Sequence, residues 1–167
     1  MHLSLRTARS EDDDFLYRLY ASTRQEELAL CGWDAAQQSA FLGMQFRAQR
    51  HGYAADYPDA DHRLILADGE PVGRLIVHKT ETDVRLVDIA VLSDYRGRGL
   101  GTGVLRDLLA ECQASGKPLH LQVAKGNRAI HLYQRLGFSM NGEDELFYRM
   151  RWDRDPNHEA IVLPPRK

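Results

Sequence analysis

The stretch VRLVDIAVLSDYRGRGLGTGVLRDLLAEC, residues 84–112, decides how this chain is read. Its opening, residues 84–92, is apolar on both faces apart from Asp88, which is the pattern of a strand covered on both sides. Its close places Val104, Leu105, Leu108, Leu109 and Cys112 on one face of a helix from about Leu100 to Ser115. Between them lies Arg96-Gly97-Arg98-Gly99-Leu100-Gly101-Thr102. A helix start carries backbone N–H groups without internal partners and a partial positive charge, and glycines let an anionic ligand approach that backbone closely. Arg96 and Arg98 add planar donors for phosphate oxygens. A turn that only packs a helix on a sheet does not require three alternating glycines with arginines between them. The segment reads as a phosphate cradle, but not that of a P-loop, since no G-x-x-x-x-G-K-[ST] string occurs. A dinucleotide fingerprint fails as well: counted from Gly97 and Gly99 its third glycine would be Thr102, and from Gly99 and Gly101 it would be Val104.

Outward from this centre the pattern is one of alternating elements. Upstream, HRLILA (residues 62–67), the turn signal Asp68-Gly69 and PVGRLIVHKT (residues 71–80) predict a β-hairpin. Before it, Phe15, Leu16, Leu19 and Tyr20 predict a helix over residues 10–30 with Ser10 as a candidate cap, and Phe41, Leu42 and Phe46 a second over residues 34–51. Residues 3–9 alternate as a first strand. Downstream, Gly116 ends the central helix, Pro118 opens the strand LHLQVAK, and Asn127 begins a short helix that stops at Leu136-Gly137. Two strands, near residue 139 and from residue 145, complete the chain. The order is strand, two helices, three strands, helix, strand, helix, two strands, which predicts a mixed α/β sheet with helices on both faces in one domain.

Composition limits the partners. The 167 residues carry 22 Lys+Arg against 24 Asp+Glu, so no basic excess supports nonspecific nucleic-acid binding. No apolar run approaches a membrane span, and the acidic residues 11–14 interrupt the amino terminus before a signal-peptide core could form. Cys31 and Cys112 match neither a metal-ligand spacing nor a disulfide framework, which suits a reducing cytoplasm, and Cys112 on the helix stripe reads as a buried thiol. The seven histidines, His120 and His131 among them, show no metal-binding spacing, so no metal is expected. Residues 1–152 are expected to form the domain, and residues 153–167, with three prolines, a loosely ordered extension.

At this point the residues resemble a known family, the GNAT superfamily of acetyl-CoA-dependent N-acetyltransferases. Its pyrophosphate loop, [RQ]-x-x-G-x-[GA], is matched at every specified position by Arg96-Gly97-Arg98-Gly99-Leu100-Gly101. The strand VDIAVLSDY before the loop, the helix VLRDLLAEC after it and the string NRAIHLYQRLGF (residues 127–138) are also similar to family segments. The close resemblance covers residues 84–152, while residues 10–60 are similar only in general shape. It implies a single-domain, mostly antiparallel sheet with a splayed central strand pair. It also implies that acetyl-CoA is the cosubstrate, its pyrophosphate on the backbone of residues 96–102 and its pantetheine arm along Ile89, Ala90 and Val91. A backbone N–H near Ile89 would stabilise the oxyanion formed on attack. Asn127 matches a residue that contacts the coenzyme; capping the short helix is its other role, and both can coexist. Tyr133 matches the general acid that protonates the departing thiolate. Its place in the stripe Ala129, Leu132, Tyr133, Leu136 equally suits packing.

The implied acceptor is a primary amine, which must lose a proton before it attacks. Asp88, the one charge in its strand, is a candidate base, and a structural carboxylate bonded to backbone or arginine is the other reading. Glu26 and Glu27, ending the first helix, are alternatives to it. Trp33, Phe46, Tyr53 and Tyr57 could line an acceptor pocket, although core packing explains most such aromatics. Neither cysteine sits where a nucleophile is needed, so direct transfer in a ternary complex is expected. A coenzyme-binding sensor without turnover is the competing function. Family members often dimerise, which leaves a homodimer open.

Overall fold

A computed structural model describes residues 1–154. The strands are β1 (Leu3–Thr7), β2 (Asp61–Ala67), β3 (Glu70–Lys79), β4 (Val84–Val91), β5 (Leu119–Ala124), β6 (Ser139–Glu143) and β7 (Phe147–Trp152). The helices are α1 (Asp13–Ala29), α2 (Ala35–Asp56), α3 (Leu100–Ser115) and α4 (Ala129–Arg135). The chain order matches the one expected from the sequence, and the strands form one sheet in the order β1-β2-β3-β4-β5-β7-β6. The pairs β1/β2, β5/β7 and β6/β7 are antiparallel, and β4/β5 is parallel. That parallel register runs only from Val84↔Leu119 to Leu86↔Leu121, short of the ends of both strands. The expectation of a strand covered along its whole length holds for its beginning: Val84 and Leu86 are buried, whereas every residue from Val87 to Leu92 keeps part of its surface. From residue 155 on, the proposed extension lies outside the described residues.

The chain divides into two compact units, one made of Met1–Ile76 and Asp88–Arg98, the other of Val77–Val87 and the residues from Gly99 on. In the first, α1 and α2 share a core in which Phe15, Leu19, Tyr20, Leu42 and Phe46 are buried. Full burial of a side chain such as Leu19 contributes about 1.5–3 kcal/mol. Ser10 is not the cap of α1. It opens a 3-10 turn, and Asp12, the residue before α1, accepts the Arg9 N–H and two hydrogen bonds from Arg6. Helix α2 starts where expected, because the Asp34 carboxylate accepts the Gln37 N–H at 2.8 Å while Gln37 Oε1 accepts the Asp34 N–H at 3.1 Å. It runs five residues past the expected end, to Asp56, since Gly52 is tolerated inside it and Pro58 is the residue that bars further helix. The hairpin turn forms as read, with Asp68 and Gly69 at φ +50 and +84.

In the second unit the stripe Leu100, Val104, Leu105, Leu108, Leu109 and Cys112 is buried as the periodicity requires. Gly116 closes α3 at φ +73. Burial pushes the Cys112 thiol up to about 11, while Cys31, in the other unit, is exposed.

Candidate functional site

After β4 the chain passes through a 3-10 turn, Ser93–Tyr95, and Arg96 returns it to extended backbone. Gly97 and Gly99 then adopt φ +74 and +78, a left-handed conformation that costs other residues roughly 1–2 kcal/mol. Gly99 precedes the first turn of α3, and its carbonyl accepts the Gly103 N–H at 2.9 Å. No side chain caps this end. The N–H groups of Leu100, Gly101 and Thr102 are therefore left without intrahelical partners, at the positive end of a sixteen-residue helix. Gly101 is the informative glycine. Its backbone is helical, and a Cβ built on it meets nothing within 4 Å, so neither conformation nor packing asks for glycine there. Arg96 donates from Nε to the Val91 carbonyl at 3.2 Å, Arg98 lies over the Tyr95 ring at 4.9 Å, and both residues are exposed.

In the first unit, Ile89, Ala90 and Val91 are half-buried, and Ala90 packs against the α1–α2 core. Gly73 of β3 faces them. A Cβ there would lie 2.5 Å from the Ala90 carbonyl oxygen, so only glycine lets the two backbones approach this closely. Asp88 Oδ2 accepts from Arg74 Nε at 2.9 Å and from its Nη2 at 2.6 Å. Arg74 is only 7% exposed, donates a further bond to Gln49 Oε1 at 3.2 Å and stacks over Tyr53 at 5.9 Å. The arginine-bound reading of Asp88 thus describes its surroundings. Burial, followed by the nearby Asp88 charge, pushes the Tyr53 phenol up to about 12. Glu26 and Glu27 are exposed, Glu27 lying 3.7 Å from Arg24. Phe46 packs with Tyr17 and Tyr20, and Trp33 with Phe41, leaving Tyr53 and Tyr57 as half-buried aromatics. Arg74, Gln49 and Gly73 escaped the sequence reading. A single arginine in the apolar run PVGRLIV was the available signal for the first; nothing in one strand reveals which glycine another backbone will approach.

In the second unit, Asn127 Oδ1 accepts the Ala129 N–H at 2.9 Å, so its capping role is present. Tyr133 is buried against Phe138, edge to face at 5.6 Å. His120 pairs with Asp83 at 2.8 Å, and His131 is exposed. Among the described residues no group of three or more His, Cys, Asp or Glu is placed to hold a metal, and no helix is long and apolar enough to cross a membrane.

Comparison with known proteins adds three likenesses and a family. Residues 16–138 match the model of the acetyltransferase (GNAT) family. Streptothricin acetyltransferase of Streptomyces lavendulae is 34% identical over 102 residues, a match that spans 57% of this chain and about half, 54%, of that protein. The crystal structure of paia N-acetyltransferase from Thermoplasma acidophilum in complex with coenzyme A superposes with a TM-score of 0.69 at 14% identity, covering 92% of this chain and 99% of that one. That of the ribosomal-protein-S18-alanine N-acetyltransferase from Escherichia coli gives 0.64 at 19%, covering 96% and 99%. At these identities the two structures show a shared fold.

Proposed function

The chain belongs to the acetyltransferase (GNAT) family, and from that membership we propose that it moves an acetyl group from acetyl-CoA to a primary amine by direct attack in a ternary complex. Acetyl-CoA supplies the activated thioester; the chain's own residues supply binding, charge stabilisation and proton transfer. The uncapped N–H groups of Leu100, Gly101 and Thr102 receive the pyrophosphate, with Gly97 and Gly99 turning the loop and Arg96 and Arg98 beside it. The backbone of Ile89, Ala90 and Val91 accompanies the pantetheine arm, and the Ile89 N–H faces the thioester oxygen as negative charge develops there. Asn127 adds a contact to the coenzyme, and the Tyr133 phenol donates its proton to the departing thiolate. At Asp88, taking up a proton on Oδ2 would break two hydrogen bonds to Arg74, so Oδ1 is the atom through which this carboxylate meets the acceptor amine.

The observation that carries this reading is the glycine at 101, which nothing in the fold itself requires. The kind of molecule that streptothricin acetyltransferase acts on and the ribosomal-protein amine of the Escherichia coli structure are two starting acceptors to assay. Free thiol released from acetyl-CoA in the presence of an amine panel tests the proposal, beside a calorimetric titration with coenzyme A. Amine-dependent release supports it. Tight coenzyme binding with no release for any amine would replace it by the sensor function.

A further inference from the structure

Two arginine–carboxylate pairs of the first unit are built differently. At Asp12 both carboxylate oxygens are engaged: Arg6 Nη1 donates to Oδ2 and Nη2 to Oδ1, each at 2.8 Å, and the Arg9 N–H reaches Oδ2 at 2.7 Å. At Asp88 both donors of Arg74 converge on one oxygen. Nε at 2.9 Å and Nη2 at 2.6 Å reach Oδ2, and Oδ1 receives no hydrogen bond from the described residues. The Asp88 side chain is 22% exposed and that of Arg74 8%, so the arginine is the hidden partner and the carboxylate the accessible one. Arg74 is itself held from α2, where Gln49 Oε1 accepts from Nη2 at 3.2 Å and the Tyr53 ring lies 5.9 Å from the guanidinium carbon.

Stability does not account for this arrangement. Taking a guanidinium and a carboxylate out of water costs about what their attraction returns, and an apolar side chain would suit the buried run of β3 as well. A pair that served only to neutralise two charges would engage both oxygens, as Asp12 does. We propose that Arg74 is a positioning residue of the transfer reaction. By holding Oδ2 it presents Oδ1, which takes the proton as an N–H bond of the acceptor ammonium breaks and leaves the electron pair on nitrogen to attack the thioester. Gln49 and the Tyr53 ring fix the plane of the guanidinium and so the direction of Oδ1. This rests on the acetyltransferase function proposed above and adds to it the residues that make Asp88 usable.

The test is a double-mutant cycle on thiol release from acetyl-CoA, using whichever of spermidine, phenethylamine, L-phenylalanine amide and an alanine-initiated peptide the wild type acetylates fastest. Asp88→Asn is expected to lower kcat about a hundredfold. Arg74→Gln is expected to lower it at least about tenfold, with the acceptor KM and the calorimetric affinity for coenzyme A changed less than about threefold. Placed in the Asp88→Asn protein, Arg74→Gln should cost less than about twofold more, because it acts through the carboxylate already removed. Arg74→Lys, which offers a point charge in place of the fork, should restore part of kcat, as should guanidinium ion added at non-denaturing concentration to Arg74→Ala. Circular dichroism checks that each variant is folded, and Gln49→Met, which frees Nη2 while leaving the ion pair, carries the same cycle if Arg74→Gln is not. Losses that simply add in the double variant, or a wild-type kcat in Arg74→Gln or Asp88→Asn, overturn the positioning role and leave the acetyltransferase intact. No thiol release by the wild type with any of these amines overturns the transfer reaction, and this role with it.

Discussion

At the residue scale, two side chains separate what spacing shows from what surroundings decide. Tyr133 lies on an apolar helical stripe and is buried against Phe138, so its ring packs whatever its hydroxyl does. Tyr133→Phe keeps the ring and removes the proton donor. It is expected to lower kcat by about a hundredfold or more while the affinity for coenzyme A changes little; unchanged turnover would make the residue a core tyrosine and nothing more. Asp12 is the other case. Hydrogen bonds from Arg6, then the Arg9 N–H, hold its carboxyl at about 2, below the ordinary 3.8. A group depressed in the folded state stabilises the fold above its unfolded value and loses that contribution as pH falls through its folded value. Between about pH 4 and 2 the wild-type melting temperature should therefore fall more steeply than that of Asp12→Asn, which starts lower at neutral pH. Parallel curves would remove Asp12 from the acid response. The acidic run containing Asp12 was plain in the sequence; that one member is buried under Arg6 was not, because the contact comes from the neighbouring strand.

At the scale of elements, the strand–loop–helix centred on residues 96–102 was legible almost to the residue: α3 begins and ends where the stripe and Gly116 place it. Local conformation determines such elements, since helix period, left-handed glycines and a missing cap are all written in consecutive residues. Gly101→Ala tests its function apart from its stability. Replacing glycine by alanine inside a helix stabilises it by up to roughly 1 kcal/mol, and here the methyl meets no protein atom. The expected outcome is a higher melting temperature together with weaker coenzyme A binding by titration. A variant that binds coenzyme A as well as wild type would show that the first turn of α3 is not the phosphate site. The other end of legibility is α2, whose start was found through Asp34 and whose end was missed by five residues. Gly52 weakens a helix without ending it, so the stop waited for Pro58.

At the scale of the whole molecule, the two separated cysteines lead to the expectation of transfer without a thiol nucleophile. Cys112 is buried with its thiol pushed up to about 11, whereas Cys31 is exposed. Iodoacetamide at pH 8 should accordingly modify one site per native chain, identified by mass spectrometry as Cys31, and leave transfer activity intact. Initial-rate plots should intersect, as a ternary complex requires, and parallel lines or loss of activity on alkylation would point to a covalent enzyme intermediate. By itself the sequence determined the order of elements, the glycine loop and the family, because each rests on periodicity or on neighbours along the chain. Only the tertiary structure decided that Asp88 is bound by Arg74 and that Gly73 lets β3 approach Ala90. Those are pairings between residues far apart in the chain, and a pairing depends on register and packing, which no single segment encodes.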